Sequence, residues 1–199
     1  MENKKSIPPR RSPGRPRTID RDRLMDLAEE IVTKEGAAAL TIDALAKAAG
    51  VTKGGVQYAF GTKEALVEAL FERWSETYSA AINAIVGPEA GAREQLRGHV
   101  EATLASDATD HAKSAALMAA LLRSPDQLGP ARRWYRERIA SLDLANPDDR
   151  RARLAFLATE GAYMLRFFGL MEIDEAEWQD MFADITALVA SASGTTEGL

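Results

Sequence analysis

Apolar residues in the first third of the chain recur at intervals of three and four, the spacing of short amphipathic helices. After Asp20 such a stripe is formed by Leu24, Leu27, Ala28, Ile31 and Val32. Gly36 supplies a C-terminal stop for this helix. A second stripe follows Thr41, a favoured N-cap residue, and ends at Gly50, and a third follows Thr52. The pattern predicts three short helices in this part of the chain.

The remainder of the chain continues the helical pattern. A long helix is predicted to begin near Thr62 and to end at Gly87 and Pro88. Pro130 and Pro147 are candidate helix starts, because proline is accepted in the first turn of a helix. No run alternates β-branched and polar residues as strands do. We therefore predict an all-α fold of about nine helices.

Charge is unevenly distributed along the chain. Residues 1–63 contain 12 Lys/Arg and 8 Asp/Glu, whereas residues 64–199 contain 13 and 22. This asymmetry suggests that the N-terminal part contacts a polyanion. Residues 1–19 are basic and proline-rich and have no hydrophobic pattern, so we expect a disordered arm. From charge alone, a basic tail without a specific partner is the alternative.

Composition argues against several classes of protein. The chain has no cysteine and only two histidines, so we expect no disulfide, no metal site and no cofactor. Its apolar runs are too short to span a bilayer, and no apolar segment follows the basic N-terminus as in a secretory signal. It lacks a glycine-rich phosphate loop, a nucleophile elbow and a paired-histidine helix. We expect a cytoplasmic protein that is neither an enzyme nor membrane-associated.

The segment from Leu40 to Phe60 has the features of a helix-turn-helix, in which two short helices pack at a steep angle around a tight turn. Ala46 and Ala49 are small enough to allow close packing. Gly50 suits the left-handed backbone conformation that the turn requires. By spacing alone, an ordinary helical hairpin with a glycine turn fits equally well.

The second helix of this segment exposes residue types that suit DNA. Lysine, threonine and tyrosine bind phosphates, and glutamine can pair with adenine in the major groove. Two adjacent glycines cost roughly 1 kcal/mol each relative to alanine, which makes sense if the backbone approaches DNA closely. The candidate DNA-binding residues of this helix are Thr52, Lys53, Gly54, Gly55, Gln57 and Tyr58.

The stretch from Thr41 to Leu66 resembles the DNA-binding signature of the TetR family of bacterial transcriptional regulators. That signature runs from a Thr-capped helix through Ala-Gly-Val to Phe-x-x-Lys-x-x-Leu, here Phe60-Gly-Thr-Lys63-Glu-Ala-Leu66. The resemblance covers about residues 20–70. It implies an N-terminal three-helix helix-turn-helix domain and a C-terminal helical-bundle domain for dimerisation and ligand binding. It also implies that Thr41 and Lys63, at helix N-termini, contact the DNA backbone.

The sequence departs from the family pattern at one place in the second helix. The family most often has an aromatic residue at the position of Gln57, whereas here the aromatic residue, Tyr58, follows one position later. Either Tyr58 contacts a phosphate in a shifted pose or this contact is missing. Gln57 would then be free to read a base.

The segment from Ser12 to Arg17 resembles the Gly-Arg-Pro core of minor-groove hooks. Extended arginines fit a narrow A·T-rich minor groove, where the negative potential is enhanced. Arg15 and Arg17 are therefore candidate DNA-binding residues. The alternative is a basic tail without preference for either groove.

One short reading helix per chain recognises few base pairs, so specific recognition favours a homodimer on a pseudo-palindrome. The last two long helices carry apolar stripes, and the family resemblance implies that they form a four-helix bundle between two chains. These stripes would equally suit the protomer's own core. The candidate interface residues are Leu154, Leu157, Ala158, Gly161, Ala162, Leu165, Trp178, Met181, Phe182, Ile185, Leu188 and Val189.

Aromatic, methionine and leucine side chains spread over several helices suggest a pocket for a small apolar or aromatic effector. An ordinary core is the alternative, and the analogy with the family is the main support for a pocket. Arg166, Glu160 or His111 would supply a polar anchor. The candidate lining residues are Trp74, Tyr78, Met118, Leu121, Leu122, Trp134, Tyr135, Phe156, Tyr163, Met164 and Phe167.

These observations predict four segments: a basic arm (1–19), a helix-turn-helix DNA-binding domain (20–64), a dimerisation and effector-binding domain (65–194) and a disordered tail (195–199). The predicted function is sequence-specific binding of double-stranded DNA by a ligand-responsive repressor, acting as a homodimer on a pseudo-palindromic operator. The alternatives are the same fold without an effector, an activator, and a weakly specific architectural protein.

Overall fold

The computed structural model describes residues 20–123 and 128–190, which form nine α-helices and no β-strand. This confirms the predicted all-α fold class. The predicted arm (1–19) and tail (195–199) lie outside the described residues. The helices are α1 (Arg21–Glu35), α2 (Ile42–Ala49), α3 (Lys53–Phe60), α4 (Lys63–Val86), α5 (Ala92–Ala105), α6 (Ala108–Leu122), α7 (Gly129–Ala140), α8 (Pro147–Phe167) and α9 (Glu175–Ala190).

The first four helices begin at capping side chains. Asp20, Thr41, Thr52 and Thr62 each accept a hydrogen bond from the backbone N–H three residues later, at 3.0 to 3.1 Å. Such caps satisfy N–H groups that have no partner inside the helix, and each contributes about 1 kcal/mol. The helix starts in this part of the chain are therefore set by local side chains, as the sequence predicts.

The later helix boundaries also lie at the prolines and glycines that the sequence analysis singled out. Pro147 is the first residue of α8, and Pro130 lies in the first turn of α7. Gly87 ends α4 with a φ of 87°, a conformation that favours glycine. Because α4 begins at Lys63 and is 24 residues long, it runs across the predicted domain boundary at residues 64 and 65.

The largest apolar core joins the N-terminal helices to part of the C-terminal half. It contains buried residues of α1 to α4 together with Ala120 and Leu121 of α6 and Ala131 and Trp134 of α7. Fully burying a leucine contributes roughly 1.5–3 kcal/mol. Helices α1 to α4 are thus anchored on α6 and α7 by the same apolar contacts that hold them together.

A second core lies between α5, α8 and α9, and it contains part of the predicted interface stripes. Ala162, Trp178, Phe182 and Ile185 are buried in this core within a single chain. Met181, Leu188 and Val189 are half-buried against the same cluster. The reason is that α9 turns its large apolar side chains inward onto α5 and α8.

The remaining interface candidates lie on the outer side of α8. Leu154, Leu157 and Leu165 are exposed, and Ala158 and Gly161 are partly exposed. Their spacing of three and four residues places them along one stripe of the helix. Among the described residues, no helix is both long and apolar enough to cross a membrane.

Candidate DNA-binding surface and effector cavity

The turn between α2 and α3 has the geometry that the sequence predicts. Gly50 has φ 65° and ψ 32°, the left-handed conformation that an L-residue with a side chain rarely adopts. The next residue, Val51, donates its N–H to the carbonyl of Ala46 at 3.0 Å. Val56 and Phe60 are buried and fix α3 to the core. The opposite side of α3 is thereby turned outward.

The outward side of α3 carries the predicted DNA-binding residues. Thr52, Lys53, Gly54, Gln57 and Tyr58 are exposed. Tyr58 is 88% exposed, an unusual state for a tyrosine without a partner molecule. Both Gln57 and Tyr58 are therefore free to contact a duplex.

Further predicted contacts flank this surface. The Thr41 hydroxyl oxygen accepts the capping hydrogen bond of α2, which leaves its hydrogen free to be donated to a phosphate. Lys53 forms an exposed ion pair with Asp43, with 2.9 Å between Nζ and Oδ2. Lys63 and Gly55 are half-buried. Arg15 and Arg17 lie outside the described residues.

A cavity of about 330 Å³ lies among α1, α4, α5, α6, α7 and α8. Its volume is at the lower end of the range for small-molecule sites, about 300–1,000 Å³. Seven of the predicted lining residues do surround it: Trp74, Tyr78, Met118, Trp134, Tyr135, Tyr163 and Met164.

Four predicted lining residues do not surround this cavity. Leu121 is buried in the core shared with α1 to α4, and Leu122, one residue later on the helix, is exposed. Phe156 is buried behind His99, with ring centroids 4.9 Å apart. Phe167 stacks on His111 outside the cavity, and its neighbour Phe168 lines it instead.

Aromatic rings form one wall of the cavity. Trp74 and Tyr78 are stacked, with ring centroids 5.4 Å apart and an angle of 8° between the ring planes. Trp134 packs against both rings, at 5.3 Å from Trp74 and 6.0 Å from Tyr78. The Trp74 indole N–H donates to Ser114 Oγ at 2.8 Å, so this ring is held in place.

Polar atoms converge on the inner end of the cavity. The Tyr135 hydroxyl donates to Glu160 Oε2 at 3.1 Å. His99 Nε2 lies 2.9 Å from Glu160 Oε1, so the imidazole faces this carboxylate. The Tyr78 hydroxyl lies 3.1 Å from His99 Nδ1 and 2.6 Å from Thr103 Oγ1.

The tyrosines of the cavity are neutral at physiological pH. Burial raises the pKa of Tyr78 and Tyr163 above the ordinary value, and burial and then the negative charge of Glu160 raise the pKa of Tyr135. Burial, followed by the nearby positive charge of Arg166, lowers the pKa of His111. The hydroxyls therefore act as uncharged donors.

Of the three candidate polar anchors, Glu160 and His111 line the cavity and Arg166 does not. The Arg166 guanidinium pairs with Glu175 and lies over the Trp178 ring, at 4.8 Å from its centroid. His99 is a lining residue that sequence reasoning misses. It is 2% exposed, and nothing in its neighbours along the chain signals a cavity.

An ion-pair cluster at the edge of the cavity joins α1 to α4. Arg73 donates through Nη1 to Asp26 Oδ1 at 2.7 Å and through Nε to Glu29 Oε1 at 3.1 Å. All three residues line the cavity. The signal in the sequence is the pair of carboxylates three residues apart on α1, which share one side of the helix. We call this cluster the α1–α4 clamp.

Within the described residues, no three His, Asp or Glu side chains are grouped so that they could hold a metal ion. The cavity is lined by both aromatic and polar side chains, and the surface on α3 is a separate feature of the N-terminal helices. What joins the two is α1 and α4, which border the cavity and also pack against the helix-turn-helix.

Comparison with known proteins places both halves of the chain in one family. Residues 24–70 match the model of bacterial regulatory proteins of the tetR family, and residues 93–190 match the tetracyclin repressor-like C-terminal domain. Together the two models cover well over half of the chain. The search of curated proteins found no match.

Solved structures with the same fold include a TetR family member from Streptomyces coelicolor A3, 27% identical, with a TM-score of 0.62 over 84% of this chain and 96% of that one. The multidrug binding protein EbrR, solved with imidazole, is 26% identical, with a TM-score of 0.59 over 89% and 98%. A transcriptional regulator from Rhodococcus sp. Rha1, 16% identical with a TM-score of 0.62 over 86% and 95%, shares the fold. The chain therefore belongs to the TetR family of bacterial transcriptional regulators, with α2 and α3 as its DNA-binding helix-turn-helix.

Proposed function

We propose that the protein is a ligand-responsive repressor that binds a pseudo-palindromic operator as a homodimer. One observation carries this proposal: a single cavity is bordered by aromatic side chains of the C-terminal half and by α1 and α4, the helices that support the helix-turn-helix. A molecule in this cavity would contact the elements that set the position of α3.

In this proposal α3 enters the major groove with Gln57 and Tyr58 facing the duplex. Gln57 reads a base, and Tyr58 donates its hydroxyl to a phosphate. Thr41 and Lys63 bind the backbone at the N-termini of α2 and α4, where the helix dipole favours an anion. Arg15 and Arg17 add minor-groove contacts from the arm.

Dimerisation would cover the exposed stripe of α8. Leu154, Leu157 and Leu165 are exposed on one side of this helix. Gly161 between them leaves room for a close approach, since among the described residues no atom beyond its chain neighbours and the surrounding helix backbone lies within 4 Å of the place that a Cβ would take. Removing such leucines from water contributes roughly 25 cal/mol per Å². The stripe therefore supports an α8-centred interface, with α9 closing the bundle through its outer residues.

The response to ligand follows from linkage. If a ligand shifts α4, the two α3 helices of the dimer depart from the separation of about 34–36 Å that one turn of DNA requires. Ligand and operator must then weaken each other by the same factor. The imidazole and ethidium complexes of EbrR support the idea that this fold accepts small molecules.

The test begins with selection of binding sites from random DNA by the full-length protein. We expect a pseudo-palindrome, bound by two chains. Gln57→Ala should relax the preference at one base pair in each half-site by about 1–3 kcal/mol, because one side chain reads it. Lys47→Ala, which removes an exposed charge from α2, is the control, since it should leave the sequence preference unchanged.

Enrichment of nothing beyond A·T content would contradict the proposal and favour an architectural DNA-binding protein. Titration of the selected site with salt measures the contribution of the arm. Deleting residues 1–17 should lower the salt dependence by about 0.9 for each phosphate that the arm neutralises. A reporter gene with the operator placed over or upstream of its promoter then separates repression from activation.

A further inference from the structure

We propose that the effector is an organic cation with a flat aromatic ring, bound with its charge next to Glu160 and its ring against the aromatic wall. This inference rests on the proposed function only in taking the cavity as the effector site. It assigns a chemical class to the ligand from the charges and rings that line the cavity.

The lining has an excess of negative charge. It contains four carboxylates, those of Asp26, Glu29, Asp110 and Glu160, against two Lys/Arg side chains, Arg73 and Lys113, and two histidines, His99 and His111. Arg73 is bound to Asp26 and Glu29 in the α1–α4 clamp, so its charge is already matched. Of the remaining groups, Lys113 offsets the charge of Asp110, which leaves the carboxylate of Glu160 for a ligand to match.

Glu160 is the carboxylate that a ligand would meet at the inner end. Its side chain is only 17% exposed, whereas Asp110 and Lys113 are exposed residues on α6. Its hydrogen-bond donor is the Tyr135 hydroxyl, which is uncharged. Within the described residues, no Lys or Arg pairs with Glu160, and His99 is the only basic group within 4 Å. A carboxylate so removed from water favours a cationic partner, because charges interact more strongly where the dielectric constant is low.

The aromatic wall suits the rest of such a ligand. Trp74, Tyr78 and Trp134 form a continuous set of rings, and Tyr135, Tyr163 and Phe168 also border the cavity. The electron-rich ring faces attract a cation placed over them, by about 0.5–2 kcal/mol each depending on desolvation. They also stack on a flat ring. The first property favours a cation over a neutral ligand, and the second favours an aromatic ligand over an aliphatic one.

The test compares three probes of nearly equal size that differ in charge: N-methylquinolinium, 4-methylquinoline and 1-naphthoate. Binding to the full-length protein without DNA is measured by calorimetry. Quenching of the tryptophans reports the same binding, since Trp74 and Trp134 line the cavity. We expect the cation to bind at least about tenfold more tightly than the neutral probe, and the anion to bind most weakly.

Glu160→Gln keeps the shape of the side chain and an oxygen that accepts from Tyr135, and it removes the charge. This variant should weaken the binding of N-methylquinolinium at least about tenfold and change that of 4-methylquinoline by less than about threefold. The matched control is Glu94→Gln, which removes the same charge from the exposed surface of α5 and should leave both affinities unchanged.

Three results would overturn the inference: equal affinities for the three probes, preference for naphthoate, or no binding of the cation at about 1 mM. All three are measured on the unmodified protein, so they do not depend on whether a variant folds. The proposed function is measured separately, as release of the selected operator. Charge-selective, Glu160-dependent binding without operator release supports the ligand class and contradicts the ligand-responsive repressor. Operator release by neutral or anionic probes alone supports the ligand-responsive repressor and contradicts the proposed ligand class.

Discussion

Gly54 occupies a position where the protein itself leaves room for a side chain. A Cβ built there meets only Thr52 Oγ1, at 3.9 Å, an ordinary contact. Gly54→Ala should therefore raise the free energy of unfolding by about 0.5–1 kcal/mol through helix propensity. If the bare backbone at this position approaches DNA, the same change should weaken operator binding at least about tenfold. Urea unfolding and fluorescence anisotropy measure the two effects.

Gly129→Ala is the matched control for this prediction. It also replaces a glycine in the first turn of a helix, and its Cβ meets only a flexible arginine end at 3.7 Å. This variant should not weaken operator binding, because α7 lies in the C-terminal half. Unchanged operator affinity of Gly54→Ala would show that the duplex does not come close to this part of α3.

We expect His111 to make the free energy of unfolding depend on pH near neutrality. Burial and then Arg166 lower its pKa in the folded protein, whereas the unfolded chain has the ordinary value of about 6.5. Below that value the unfolded state binds more protons than the folded state, so the free energy of unfolding decreases as the pH falls. Denaturant titrations at about pH 7.5 and about pH 5.5 should show this decrease. It should be smaller in His111→Gln, and an unchanged decrease would contradict the assignment to His111.

Among the helices, the α1–α4 clamp is a polar contact between two helices that both border the cavity and support the DNA-binding part. Arg73→Met removes its hydrogen bonds to Asp26 and Glu29 and keeps most of the side-chain volume. Because the carboxylates are partly exposed, we expect a stability loss of only about 0–1 kcal/mol. The factor by which ligand weakens operator binding should decrease more clearly, as α4 would move without drawing α1 with it.

Arg93→Met is a control of the same chemistry at another place. Arg93 pairs with Asp148 and Asp149 at the contact of α5 with α8, away from the cavity. Its loss should leave the ligand effect on operator binding as in the unmodified protein. If both variants reduce the effect of ligand on operator binding equally, the α1–α4 clamp does not itself transmit the ligand signal to the DNA-binding helices.

Helix ends and the helix-turn-helix could be predicted because their signals are local. Thr41 and Thr62 cap their own helices, and Gly50 adopts the turn conformation that its neighbours need. The partner of an apolar stripe could not be predicted, since periodicity shows which side of a helix is apolar and not what covers it. Phe182 is buried in the chain's own core and Leu157 is exposed, although both belong to regular stripes. His99 joins the cavity only through the packing of α5 against α4 and α8.

For the whole molecule, the exposed stripe of α8 predicts the oligomeric state. Leu157 is 53% exposed, and Leu157→Glu would place a charge in the centre of the proposed interface. We expect the variant to be a folded monomer by light scattering, with greatly weakened binding to a two-half-site operator. Leu144→Glu, at an exposed leucine between α7 and α8, should remain a dimer. A dimeric Leu157→Glu protein would require an interface elsewhere.

The core shared by α1 to α4 with α6 and α7 bears on how such a protein can be recombined. A chimera that joins residues 20–64 to a foreign C-terminal half would deprive the N-terminal helices of Leu121 and Trp134, against which they pack. The helix-turn-helix domain of the chimera would then pack against a surface that is not complementary to it. Operator specificity should therefore be exchanged between relatives by substituting only the exposed residues of α3. A chimera that takes a whole DNA-binding domain from a relative should also need the α6 and α7 of that relative.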